Sequence, residues 1–456
     1  SLHDALPIFR HSICGIDDSY NNFWDILAEL IQNAVDAINR TDPVVQGEIY
    51  LQIDCIRKEI SIRDNGCGIA PEKLVTFLRP FSTDKLDDEN QIGEKGVGLK
   101  FAYFQSAYFK IHTGNASGSA LAEIRDARLW KLQTSQEPLT VSYERYNEPF
   151  CGTEIVLKGI ENEPLFSLSI SQMRYILRTK TAAGNTSAIW RDISPIKITL
   201  EMTDYNGDHI KEDIPYKYYL PTDTLSVRDQ ISLDDFEEWL RGGDRTDLEK
   251  RTKLRDKVIT AKGSYLHNGY REIRYWASFV PSRSVWDQLC IKEGLATDSL
   301  LSNEEWINEK IFVLHRPGIY TAVKGMPTGI TVEHPSAGYS GYWSNMFIIF
   351  EDDRLSFDIG RKSIHGLTAN IYKSYAKEIF NRFLQYIVKY VSGTVEPYSA
   401  EWNKEGLIDE IKSLPDLGCS VVKFGKNPKD QEASVAAIFY ELIGAGYIND
   451  VERSEE

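Results

Sequence analysis

Apolar residues recur at helical spacing between about Asn22 and Asn39: Phe23, Leu27, Leu30, Ile31, Ala34 and Ile38. The spacing predicts an amphipathic helix, ended by Thr41, Asp42 and Pro43. The period then changes from helical to alternating. Ile49, Leu51 and Ile53, then Ile60 and Ile62, flank a polar turn at Arg57 and Lys58, which predicts a β-hairpin. Glycine-rich loops follow at 64–68 and 93–98. A short helix is expected from Gly98, then several strands to about Leu157. Residues 1–20 have no clear period and read as a strap.

Farther along, 169–182 reads as a helix, and the stretch to Asp192 as a bridge. Strand alternation resumes at Ile196, Ile198 and Leu200. Residues 233–260 are charged and helical in pattern. Strands are expected near 271–280, 310–323 and 345–351, and a long amphipathic helix over 367–392. The tail, 400–456, holds two helical stretches around a turn-rich piece at 424–430. There is no internal repeat. The division this implies is 1–160, 161–395 and a helical C-terminal segment 396–456, the last read either as a docking helix or as the start of a further domain. The class is α+β.

Composition narrows the options. The 456 residues suggest about two or three domains. Hydrophobic residues at 42% and charged residues at 26% suit ordinary globular cores and exclude a disordered or collagen-like chain. The net charge of −15 argues against a surface coated in phosphate-binding cations, though not against a local basic patch. The six cysteines form no C-x-x-C pair, so free thiols in a reducing cytoplasm are expected. No apolar run reaches the roughly 18 residues of a membrane span, and no signal peptide is read.

Four short pieces carry candidate chemistry. Glu29, Asn33 and Asp36 lie within about 60° of one another on the first helix, away from its apolar stripe. Alone, such a face reads first as a solvated surface, since polar helix faces are the norm. In "RDNGCGI" an acidic residue, Asp64, ends a strand, and Gly66 and Gly68 follow; the bland reading is a hairpin turn. In "GEKGVGLK" the glycines Gly93, Gly96 and Gly98 precede a helix, with Lys95 and Lys100 adding charge. Such a loop can turn N–H groups toward phosphate oxygens. It is neither a Walker loop nor a convincing dinucleotide fingerprint. "GTEIVL" is a strand with Thr153 near its start, uninformative by itself.

In this order, the pieces resemble the four boxes of the GHKL ATPase superfamily: "ELIQNAVDAI", "RDNGCGI", "GEKGVGLK" and "GTEIVL". That superfamily includes gyrase-type topoisomerases, heat-shock chaperones, sensor histidine kinases and MutL-type and MORC-type ATPases. The resemblance covers roughly residues 20–160. It implies a Bergerat-type ATP-binding α/β sandwich, a mixed sheet with helices on one face, followed by a transducer-like α/β domain. It implies ATP and Mg²⁺ as cofactors. Glu29 would be the general base, Asn33 the Mg²⁺ ligand, and Asp36 a support for the nucleotide. Asp64 would accept from the adenine amino group, and Thr153 would assist. Gly66 and Gly68 would let the base lie against the backbone. Gly93, Lys95, Gly96, Val97, Gly98, Leu99 and Lys100 would wrap the triphosphate. The stretch 80–92 would be a lid, with Ser82 and Lys85 matching a pattern of several members. A sensor kinase is not expected, because His3 and His11 lack the helical context of a phosphoacceptor.

The same resemblance implies a nucleotide-dependent homodimer, with a second-domain cation reaching the γ-phosphate. The candidates are Lys324 in "YTAVKGMPTGI" and Arg361 in "RLSFDIGRKSI", with Lys362 as the fallback. "REIRYWASFVPSR" resembles a strand of a chaperone middle domain. The expected role is a DNA-linked clamp of MORC or MutL type, with 245–262 and 271–283 as the phosphate-binding surface. The alternative is a chaperone-like clamp on protein clients.

Overall fold

Side-chain alternation along the central strands explains the first of two sheets. The computed structural model describes residues 10–11, 13–15, 20, 22–41, 45–79, 98–133, 137–335, 340–355, 364 and 366–390. The chain divides into two units, Ser1–Tyr386 and Ile387–Glu456, and both sheets belong to the first.

Helix α1 (Asp25–Asn39) opens the fold. Asp25 in its first turn accepts from the Asn22 backbone N–H at 2.9 Å and from Asn22 Nδ2 at 3.2 Å. A carboxylate at that position also favours the positive end of the helix. Strands β1 (Gly47–Asp54) and β2 (Glu59–Asp64) form the expected hairpin, with Lys58 at φ 56 in its turn. Helix α2 (Gly98–Phe104) precedes β3 (Tyr108–Asn115) and β4 (Gly118–Arg125). Then come β5 (Val141–Tyr146), β6 (Gly152–Lys158), helix α3 (Ile170–Lys180), β7 (Ile196–Thr203) and β8 (His209–Ile214).

The strand order is β5-β4-β3-β6-β2-β1-β7-β8. Every neighbouring pair is antiparallel except β1 with β7, which run parallel. The sheet is therefore mixed and draws strands from both sides of residue 160. One face is apolar: Ile49, Leu51 and Ile53 of β1, Ile60 and Ile62 of β2, Phe109 and Ile111 of β3, and Ile155 and Leu157 of β6 are all buried. Helix α1 packs on β1 and β2 and touches α2 and α3.

The second sheet has the order β13-β12-β14-β11-β10-β9. Its strands are β9 (Gln230–Ser232), β10 (Val258–His267), β11 (Arg271–Phe279), β12 (Gly318–Val323), β13 (Met326–Val332) and β14 (Met346–Asp352). The charged segment 233–260 resolves into two helices, Leu233–Arg241 and Asp247–Leu254, broken at Gly242 and Gly243, before β10 begins. The long helix runs Gly366–Tyr390.

One expectation fails. Residues 310–317 are not strand: helix Glu304–Lys310 runs into a 3-10 turn at Ile311–Val313, and β12 starts at Gly318. The Asn303 side chain accepts from Trp306 N–H at 3.2 Å, and Glu304 and Glu305 occupy the first turn. Those start signals outweigh the apolar run Ile311–Leu314, which by itself fits helix or strand.

Among the described residues no helix is long and apolar enough to cross a membrane. Of the cysteines, Cys14, Cys55, Cys67, Cys151 and Cys290 are free thiols. Cys419, Arg361 and the whole tail 400–456 lie outside the described residues.

Candidate nucleotide site

The apolar face of the first sheet ends in polar residues. In β2 the inward series is Ile60, Ile62, then Asp64. In β6 it is Leu157, Ile155, then Thr153. In β3 it is Phe109, Ile111, then Thr113. Register aligns the three ends in one row, Asp64 opposite Thr153 and Thr153 opposite Thr113. A carboxylate and two hydroxyls thus sit side by side where the core series would call for apolar residues. All three are buried.

The row is internally bonded. Thr113 and Thr153 hydroxyls lie 2.9 Å apart, and Thr113 Oγ1 also donates to the Gly152 carbonyl at 3.1 Å and accepts from Ile69 N–H at 2.9 Å. Asp64 Oδ1 accepts from Gly66 N–H at 2.8 Å. Burial pushes the Asp64 carboxyl up to about 7, against the pull of the Gly66 and Thr153 hydrogen bonds. A carboxylate held out of water with so few donors gains from any ligand that brings an N–H.

Glycine is required where the backbone crosses beneath α1. A Cβ on Gly66 would meet the Ala37 backbone carbon at 2.6 Å. Gly68 has φ +61, and its Cβ would fall 1.9 Å from the Gly114 carbonyl oxygen. Cys67 N–H donates to the Ala37 carbonyl at 3.0 Å, which ties this loop to the helix. The loop is thus a backbone surface pressed onto α1, and the hairpin-turn reading of "RDNGCGI" is set aside.

On α1, Glu29 and Asp36 are buried and Asn33 is half-buried. The solvated-face reading therefore fails: this face looks into the protein. Tyr20 Oη lies 3.4 Å from Glu29 Oε1. Gly98, first residue of α2, abuts the other carboxylate oxygen of Glu29. Leu99 is buried, and so is Lys100, whose ammonium sits 4.6 Å above the Phe77 ring. Gly93, Lys95, Gly96, Val97, Lys85 and Ser82 lie outside the described residues.

An amide oxygen on the helix face that also carries two carboxylates suits Mg²⁺, which takes hard oxygen ligands and keeps several waters. Among the described residues no group of three His, Cys, Asp or Glu side chains is gathered to hold a metal unaided. The donor set fits an ion that arrives with phosphates.

Lys324 occupies the first position of a two-residue turn joining β12 to β13, with φ 48, and Gly325 follows at φ 83. Two positive φ values are what a tight hairpin turn requires. The Gly325 carbonyl accepts from Thr186 N–H at 2.8 Å, and Asn185 packs against Gly325. Asn185 Nδ2 donates to Tyr216 Oη at 3.0 Å. The Tyr216 phenol is pushed up to about 12, mainly by burial, with the charge of Asp36 contributing. Contacts thus run from the Lys324 turn through Asn185 to Tyr216, whose phenol feels the charge of Asp36 on α1.

Two residues escaped the reading of the sequence. Thr113 carries no motif; its signal is only that a hydroxyl closes an apolar inward series. Asn185 is visible only through its place beside the turn.

The expected DNA-binding cations of 271–283 are largely committed elsewhere. Arg271 Nε lies 2.9 Å from Asp352 Oδ2, and Arg274 Nη2 lies 2.8 Å from Glu351 Oε1. Both carboxylates are fully buried.

The sequence pattern of the family described as histidine kinase-, DNA gyrase B- and HSP90-like ATPase matches residues 20–143. An endoplasmin homolog of Arabidopsis thaliana is 31% identical over 166 residues, covering 31% of this chain and 19% of the relative. The chaperone protein HtpG of Helicobacter pylori is 28% identical over 151 residues, 28% of this chain and 23% of the relative. HtpG of Francisella tularensis is 22% identical over 253 residues, 50% of this chain and 37% of the relative. The chain thus matches well under half the length of each of these relatives.

Proposed function

We propose that this chain, whose residues 20–143 belong to the histidine kinase-, DNA gyrase B- and HSP90-like ATPase family, binds ATP with Mg²⁺ and hydrolyses it to ADP and phosphate. The observation that carries the reading is the row Asp64–Thr153–Thr113, a buried carboxylate and two hydroxyls beside a glycine loop pressed onto α1. Adenine offers the flat apolar ring and the exocyclic N–H that such a row lacks. Asp64 accepts that N–H, and Thr153 is held in place by Thr113.

Glu29 takes the proton of the attacking water as its oxygen bonds to the γ-phosphorus and the bond to the ADP oxygen breaks. A positioned carboxylate of this kind is worth about a hundredfold or more in rate. Asn33 would hold Mg²⁺ through its amide oxygen, and the ion when bound would neutralise phosphate charge. Asp36 supports this face of α1. Lys324 is the described cation suited to reach the terminal phosphate, where positive charge lowers the barrier. Arg361 remains the second candidate for that role.

Two copies associate when nucleotide is bound, and the clamp acts on protein clients. Support comes from the relatives, which are named chaperones, and from the engagement of Arg271 and Arg274 with buried carboxylates. A DNA-linked clamp, the first expectation from sequence, would lose Arg271 and Arg274 from its phosphate-binding surface and rest on the segment 245–262, where Arg251, Arg255 and Lys262 are exposed. The free thiols suit a reducing compartment such as the cytoplasm.

The test is Mg²⁺-dependent ATP turnover and ATP binding in wild type, Glu29→Ala and Asp64→Asn. Glu29→Ala should bind ATP yet lose turnover, and Asp64→Asn should lose binding. Normal ATP binding by Asp64→Asn would remove the adenine assignment. DNA affinity that is high and falls steeply with salt would return the clamp to DNA.

A further inference from the structure

A second cavity, about 640 Å³, opens between the end of α3 and the β12–β13 hairpin. None of Glu29, Asn33, Asp36, Asp64 or Thr153 lines it. Its volume falls within the range that encloses small ligands. Most of its wall is apolar, from Phe312, Ile319, Tyr320, Val332 and Trp343.

Lys180, the last residue of α3, faces this cavity with 6% of its surface exposed. Among the described residues it makes no hydrogen bond and no ion pair. Its ammonium lies 5.5 Å from the ring of Trp24 and 5.5 Å from that of Tyr320. The rings lend it their electron-rich faces but accept no proton in a normal hydrogen bond. Burial alone pulls Lys180 down to about 8, with no charged neighbour offsetting it. Glu333 also borders the cavity, but its carboxylate is exposed and lies 3.5 Å from Lys373.

Trp343 lines the cavity with its ring, which stacks on Phe380 at 4.1 Å, and its Nε1 is shielded from solvent. Arg316 adds positive charge to the rim, although Asp287 lies 3.1 Å away.

We propose that this cavity binds a small organic anion, with an apolar ring-sized body against Tyr320, Phe312 and Ile319 and an acidic group on the Lys180 ammonium. A carboxylate and a phosphate monoester share the required chemistry. The same hairpin carries Lys324 at its turn, so an occupant would brace the element that presents that cation.

The test uses benzoate, phenyl phosphate and the neutral benzyl alcohol, with binding read by calorimetry and by the shift in thermal midpoint. At least one anion should bind wild type about tenfold to a hundredfold more tightly than the alcohol. The stronger of the two anions identifies the acidic group. Asp64→Asn should bind them as wild type does, which separates this cavity from the nucleotide site. Lys180→Met should melt higher than wild type without ligand, since it removes a lone buried charge, and should lose the preference for anions. Equal affinity for alcohol and anions, no binding of any probe, or an anion preference that survives Lys180→Met would each overturn the proposal.

Discussion

Gly98 stands so close to Glu29 that a Cβ built on it would lie 1.7 Å from the carboxylate oxygen Oε2. No side chain fits there without moving the group assigned as base. Gly98→Ala should therefore lower turnover by about tenfold to a thousandfold while ATP still binds, because displacement of a positioned base by about an ångström is costly. Kinetics of Gly98→Ala, Glu29→Gln and the double variant check this. The double variant should be no slower than Glu29→Gln alone, since both changes remove one function.

Thr113 holds Thr153 from the neighbouring strand. Thr113→Val would leave Ile69 N–H without its acceptor and break the hydroxyl pair. The expected cost is about 1–3 kcal/mol of stability, with weaker ATP binding, while Thr113→Ser should restore most of both. Denaturant unfolding and ATP titration of the two variants provide the comparison.

Asp64 gives the protein a specific pH signature. Its carboxyl titrates at about 7 when folded against 3.8 for the ordinary group. The folded state therefore holds the proton more tightly, and stability falls as pH rises from about 4 to 7. Asp64→Asn should lack that part of the slope. If the ionised form accepts from the adenine amino group, as proposed, ATP binding below pH 7 should release a proton. Calorimetry in buffers of different ionisation enthalpy would detect it, and an enthalpy independent of buffer would contradict the assignment.

Much of the architecture was legible from residue order, and the reasons differ by element. Helix α1 was expected over about 22–39 and forms over Asp25–Asn39, because its apolar stripe and stop signals agree. The first hairpin and the long helix near 367–392 were readable for the same reason. What the wheel of α1 could not say was that the Glu29 face is buried, since that depends on α2 and the glycine loop coming from far along the chain. Thr113 was invisible because a lone threonine in an alternating strand has no motif; only register makes it a neighbour of Thr153. Lys180 lies in the last turn of a helix, where a cation is ordinary, and no motif marks it. The ring faces of Trp24 and Tyr320, distant in sequence, make it unusual.

Lys324 combines charge with an uncommon backbone, so the two can be separated. Lys324→Gly keeps the turn at no steric cost, since glycine accepts positive φ freely. If the Lys324 ammonium reaches the terminal phosphate, turnover should drop by about tenfold or more. Lys324→Arg should recover part of the rate. A Gly variant with full turnover would leave the role to Arg361.

The parallel seam between β1 and β7 has a consequence for anyone dissecting the molecule. Eight residues of β1 are paired with β7 along their whole length, Gly47 with Ile196 through Asp54 with Thr203. A fragment ended near residue 160 would strip that cover and leave a long row of unpaired amides beside an apolar surface. Such edges recruit strands from other molecules. The edge of β1 is thus covered by chain that lies beyond the recognisable motifs, and a piece ended near residue 160 should precipitate where one that reaches Ile214 stays in solution.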